Sequence, residues 1–239
     1  GMAKAIIYDK DGTLMDFDAF WVPVARAAIE KIVKRATGAD VSAAARISAK
    51  TEREIGISGG STDPKGILCG GTYSQFAATL TKNLNEGGFP LRIDRQEVEK
   101  AVADNAGKGE ILSACEDLRE RLEEARKKAV LFVVTTDDRA ITEYCLEKLG
   151  IADLFEKIYC DDGITPHKPD PFAAEEIAGT LKAGKQDIFM IGDTATDKKF
   201  ADGAGIRFAY VGKDPDIGEK SAYKAINAGK ATELILDLI

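Results

Sequence analysis

Strand-like apolar runs recur along this chain at about 4–8, 130–134, 157–160, 187–191 and 206–211, and helix-period stretches separate them. The clearest helical spacing joins Leu112, Cys115, Leu118, Leu122 and Ala125, with Arg119, Glu120, Glu123, Glu124 and Lys127 on the other side. A second helical stretch runs from Ala140 to Leu149 and stops at Gly150. A third begins after Pro169-Asp170-Pro171, where proline suits a first turn. Strands that alternate with helices predict βαβ units, and hence an α/β fold with a doubly wound, Rossmann-like parallel sheet. In such sheets ligands sit at the carboxyl ends of the strands.

Those ends carry the reactive side chains. The first run, Ala5-Ile6-Ile7-Tyr8, exits into Asp9-Lys10-Asp11-Gly12-Thr13-Leu14. In a continuing strand Asp9 and Asp11 would share a face, but Gly12 breaks the regular backbone and lets Asp11 turn independently. One acid can then attack while the other moves protons. The run at 129–134 ends in Thr135-Thr136, and the run at 187–191 ends in Gly192-Asp193-Thr194-Ala195-Thr196-Asp197. Between them lies His167-Lys168-Pro169-Asp170-Pro171. Taken alone, the first hexapeptide also reads as a strand closing in an Asp/Gly turn.

In this order, the four motifs resemble the haloacid dehalogenase superfamily of phosphohydrolases, over the whole chain outside residues about 15–110. The resemblance implies that Asp9 is the nucleophile and Asp11 the general acid/base. It matches Thr135 to the second motif, Lys168 to the third, and Asp193 and Asp197 to the fourth. The one departure is Thr136, where many members carry Asn; the backbone amide is kept. Carboxylates crowded around a dianionic group call for a hard cation with oxygen ligands, which favours Mg²⁺. Asp9 and Asp193 would hold it and, by resemblance, so would the backbone carbonyl of Asp11. Asp197 reads as orienting a water or Lys168, or simply as an acid at a helix N-terminus. Thr135 and the amide of Thr136 would hold phosphate oxygens, and Lys168 would serve Asp9 and phosphate together.

Residues 15–110 break the strand–helix alternation with helix-like segments at about 18–37, 40–54, 72–85 and 94–106, and no strand is expected there. The expected division is a catalytic core of 1–14 and 111–239 and an α-helical cap of 15–110, tethered beside Asp9. This cap resembles the branch that includes phosphoglycolate phosphatase and β-phosphoglucomutase. Within it, the glycine-dense stretch from Gly56 to Gly71 reads as a flexible polar loop, either a surface connection or a substrate-facing element. Arg53 and Lys65 flank or lie in it, as solvated side chains or as contacts for a second anionic group.

The expected activity is Mg²⁺-dependent hydrolysis of a small phosphomonoester, phosphoglycolate-like or a sugar phosphate, through an aspartyl phosphate. A phosphomutase shares the same motifs. A dehalogenase has no need of Asp11, and a noncatalytic module could lose Asp11 or Asp193 without penalty, whereas both are present. A net charge of -7 argues against nucleic acid or an anionic membrane as partner and leaves a small phosphorylated metabolite. No apolar run approaches the roughly 18 to 20 residues of a membrane helix, and residues 2–20 lack a signal-peptide pattern, so a soluble cytoplasmic protein, monomer or homodimer, is expected. Gly1 before Met2 reads as a remnant of tag removal. The 4 cysteines are scattered, which predicts reduced, buried thiols, and the single histidine, His167, rules against a His-built zinc site.

Overall fold

The computed structural model describes residues 3–239; Gly1 and Met2, and with them the reading of Gly1, lie outside the described residues. The chain divides into two compact units, one formed by Gly1–Asp16 with Ile111–Ile239 and the other by Phe17–Glu110.

In chain order the elements are β1 (Ala5–Tyr8), α1 (Phe17–Thr37), α2 (Val41–Glu54), β2 (Ile57–Ser58), β3 (Ser61–Thr62), α3 (Ile67–Gly70), α4 (Tyr73–Glu86) and α5 (Arg95–Asp104). They continue as α6 (Leu118–Arg126), β4 (Val130–Val134), α7 (Arg139–Lys148), β5 (Lys157–Tyr159), α8 (Phe172–Leu181), β6 (Ile188–Gly192) and α9 (Ala195–Ala204). The last are β7 (Arg207–Tyr210), α10 (Pro215–Glu219), β8 (Tyr223–Lys224) and α11 (Ala228–Leu238).

The larger unit is a parallel sheet in the order β5-β4-β1-β6-β7-β8. Side chains alternate across it. Ile6 and Tyr8 of β1 join Leu131, Val133, Phe189 and Ile191 on one face, under α6 and α11. Ala5 and Ile7 join Phe132, Val134, Ile188 and Met190 on the other, under α8 and α9. Helices therefore cover both faces, as the near-continuous apolar strands require. The chain runs from β1 outward to β4 and β5, then crosses to β6, so the carboxyl end of β1 lies where the winding reverses.

The smaller unit is mainly helical. α1 buries Phe20, Val24, Ala28, Ile29 and Ile32 and packs against α2 and α5. Pro23 lies inside α1 and has no N–H for the carbonyl of Ala19; that carbonyl instead accepts from the N–H of Glu110 at 3.0 Å. The expectation of no strand here is corrected by β2 and β3, an antiparallel pair around Gly59-Gly60. Strands of two residues are too short to carry an alternation that a sequence could show. Arg26 of α1 donates to the Gly59 carbonyl and Thr62 donates to Asp18, so this stretch is a hairpin tied to α1 at its tip and base.

Two further expectations change. The helical spacing read from Leu112 onward becomes helix only at Leu118, because the segment before it pairs with the chain after Thr13: Ala114 N donates to Leu14 O at 3.0 Å and Asp16 N to Leu112 O at 2.9 Å. Of the four cysteines, all free, Cys145 and Cys160 are buried whereas Cys69 and Cys115 are only partly so. Among the described residues, no helix is long and apolar enough to cross a membrane.

Candidate active site

The carboxyl end of β1 builds the site. Asp9 continues the ladder by donating its N–H to Ile191 O at 3.0 Å, and then the backbone folds onto Lys10, whose carbonyl accepts from Leu14 N at 2.8 Å. Gly12 makes this turn possible with φ +80°, and a Cβ there would lie 2.0 Å from Asp193 Oδ2. Alternation along β1 sends Asp9 toward the face covered by α8 and α9 and Lys10 toward the opposite one.

Asp9 meets Lys168, whose Nζ donates to Asp9 Oδ1 and to Asp197 Oδ1, both at 2.7 Å. All three side chains are buried. Asp197 is the third residue of α9 and accepts on Oδ2 from the N–H groups of Asp193 and Thr194 and from Thr194 Oγ1, while Thr194 Oγ1 accepts from the Asp197 N–H. This capping box fixes the helix start and aims the other Asp197 oxygen at Lys168. Gly192 is required beside it, since a Cβ there would lie 2.4 Å from Asp197 Oδ2. The two readings of Asp197, as partner of Lys168 and as helix-terminal acid, describe one residue doing both.

Asp193 follows β6 and receives Thr13 Oγ1 on its Oδ1 at 3.1 Å. Carboxylate oxygens of Asp9, Asp193 and Asp197 lie within 4.8 Å of one another. Three acids thus face one ammonium. Burial, then Asp197, push the Asp9 carboxyl well above the ordinary range against the pull of Lys168. Burial and Asp197 likewise push Asp193 up to about 6. Burial alone would lower Lys168, but Asp197 and Asp9 outweigh it and raise it. A cluster of oxygen donors short of positive charge fits a hard divalent cation such as Mg²⁺. With both Asp197 oxygens engaged, Asp9 and Asp193 are the carboxylates that fit it.

Thr135 follows β4, next to β1, and is buried. Its Oγ1 accepts from the Asp137 N–H at 3.1 Å, which turns the hydroxyl so that its own proton can serve an acceptor. Thr136 is exposed. The Asp11 carboxylate lies 3.1 Å from Lys10 Nζ. Arg53 and Lys65 belong to the helical unit, where both are exposed. Arg53 lines a cavity of about 440 Å³ with Arg26, Glu52, Ile57, Ser58 and Asp63; Lys65 does not line it.

The sequence reading missed Lys10 and Asp137. Lys10 is fully buried and its Nζ donates to Asp137 Oδ2 at 3.0 Å. Burial would lower the Lys10 ammonium, yet Asp11 and Asp137 hold it raised. A lysine between two strand-end acids reads as a solvated side chain, and only the alternation across a two-faced sheet shows that it must be buried.

A family model described as "Haloacid dehalogenase-like hydrolase" matches residues 6–211. The chain belongs to this family of hydrolases. It is 24% identical over 210 residues to the N-acetylmuramic acid 6-phosphate phosphatase of Pseudomonas putida, an alignment that covers 87% of this chain and 82% of the relative. A phosphoglycolate phosphatase of Cereibacter sphaeroides is 33% identical over 75 residues, 31% of this chain and 34% of that one. Among solved structures, the magnesium-bound HAD-hydrolase YfnB of Bacillus subtilis superposes with a TM-score of 0.67 at 15% identity, covering 98% of this chain and 99% of that one. That likeness shows the haloacid dehalogenase fold, a doubly wound sheet with an accompanying helical part.

Proposed function

We propose that this hydrolase cleaves a small phosphomonoester through an aspartyl phosphate on Asp9, with Mg²⁺. The observation that carries the reading is the Lys168 ammonium held 2.7 Å from both Asp9 and Asp197, which fixes one oxygen of the nucleophile and places positive charge where phosphate oxygens would gather. With Oδ1 on Lys168, Asp9 Oδ2 attacks phosphorus in line, and the bond from phosphorus to the ester oxygen breaks. Asp11 gives its proton to the leaving alkoxide. The Asp11 carboxylate then takes a proton from water as that water attacks phosphorus, releasing inorganic phosphate and restoring Asp9. Thr135 Oγ1 and the amide of Thr136 hold nonbridging oxygens. Asp9, Asp193 and the Asp11 carbonyl would hold Mg²⁺, which when bound supplies the charge that neutralises the phosphate oxygens.

Phosphate release from a panel of small esters tests this reading. Turnover with Mg²⁺ is expected to vanish in excess EDTA and to fall sharply in Asp193→Ala; calcium, with its looser coordination shell, is expected to inhibit. Because Asp193 loses its proton only near pH 6, Mg²⁺ binding followed by calorimetry should weaken as pH falls through that value and strengthen above it. Undiminished hydrolysis in EDTA contradicts the metal assignment.

The helical unit is read as the cap domain, the part of the chain that sets substrate choice. The relatives named for phosphoglycolate and for N-acetylmuramic acid 6-phosphate act on phosphate esters that also carry an acid group. Arg53 and Lys65, exposed cations that keep no ion pair among the described residues, are the candidates to meet such a group. Arg53→Ala or Lys65→Ala should lower kcat/KM strongly on the preferred substrate and weakly on p-nitrophenyl phosphate, which has no second anion. Equal losses on both esters remove the two residues from the specificity account.

A further inference from the structure

The geometry points to Lys10 as the residue that positions the Asp11 acid/base, with Asp137 as its anchor. This rests on the phosphatase reading above and adds a residue to it. Lys10 is fully buried, and its Nζ lies 3.1 Å from an Asp11 oxygen and 3.0 Å from Asp137 Oδ2. Burying an ammonium is costly unless counter-charges replace its solvation, and the Asp11 and Asp137 carboxylates, from the loops after β1 and β4, supply them here. Asp137 is itself held: its Oδ1 accepts from the Asp138 N–H at 2.8 Å, and its own N–H donates to Thr135 Oγ1 at 3.1 Å. The chain of contacts Asp11–Lys10–Asp137–Thr135 therefore ties the proton donor to the hydroxyl that faces phosphate, on the side of β1 away from Lys168. Both Asp11 carboxylate oxygens face Lys10, Oδ1 at 3.3 Å and Oδ2 at 3.1 Å from Nζ, and the side chain stays 16% exposed.

A mispositioned acid leaves a specific kinetic trace. An alkoxide needs its proton as the bond to phosphorus breaks, whereas p-nitrophenolate leaves without one. In single-turnover experiments with Mg²⁺-loaded enzyme, Asp11→Asn should slow cleavage of an unactivated alkyl phosphate by ~100-fold or more while sparing alcohol release from p-nitrophenyl phosphate. Lys10→Met should show the same asymmetry, with ~10- to 100-fold loss on the alkyl ester and a few-fold loss on the aryl ester. Lys10→Met leaves Asp137 buried without its counter-charge, so Lys10→Met/Asp137→Asn, which removes both charges at nearly constant volume, is measured beside it. The double variant should keep the asymmetry. Equal losses on the two esters in the double variant, against an asymmetric Asp11→Asn, reduce Lys10 to a structural ion-pair partner and overturn the inference alone. A symmetric Asp11→Asn overturns the acid/base reading and the inference together.

Discussion

Asp9→Asn yields a folded protein whose turnover of phosphate esters falls by ~10⁴- to 10⁶-fold, as when a nucleophile acting with its partners is removed. An amide cannot attack phosphorus, yet its carbonyl oxygen still accepts from Lys168, and Lys168 retains Asp197 at 2.7 Å. The fold should not suffer. Burial and Asp197 already disfavour the ionised Asp9 carboxylate, so a neutral isostere relieves crowding, and the metal-free variant should melt at or above the parent's temperature. Steady-state kinetics with thermal unfolding decide the matter: full activity, or loss of activity only through unfolding, contradicts the assignment.

Lys168→Ala has the opposite balance of effects. Its ammonium is the cation that compensates Asp9 and Asp197, both buried. Removing one partner of a buried charge network costs about 3–5 kcal/mol, because the remaining carboxylates stay in low dielectric without a counter-charge. For a domain of this size that lowers Tm by roughly 10 °C in metal-free protein. Catalysis falls as well, since the nucleophile loses the contact that orients it. A calorimetric Tm within about 2 °C of the parent would show that Lys168 carries little of the cluster's charge balance.

The sheet and the residues at its strand ends were legible because both leave local marks. Apolar runs of strand length, each closed by a polar or glycine-bearing turn, announced β1, β4, β5, β6 and β7 and placed Asp9, Thr135 and Asp193 after them. The long helices α1, α2, α4 and α5 were legible from periodicity. What escaped depends on partners distant in sequence. β8 spans two residues and exists through pairing with β7. Leu112 opens the helical spacing, but residues 112–114 pair with the chain after Thr13. Lys10 and Asp137 are 127 positions apart, and neither signals burial without the other. Asp11 shares the periodicity of Asp9, yet with the turn at Gly12 its carboxylate meets Lys10, which no local pattern announces.

The central claim is a phosphoryl group covalently held by Asp9. Enzyme mixed with a turned-over phosphate ester and Mg²⁺, quenched in acid within the first turnover and digested for mass spectrometry, should carry one added phosphoryl group on the peptide containing Asp9 and none in Asp9→Asn. A phosphoryl group on another residue, or turnover that proceeds with no phosphorylated enzyme, contradicts the account.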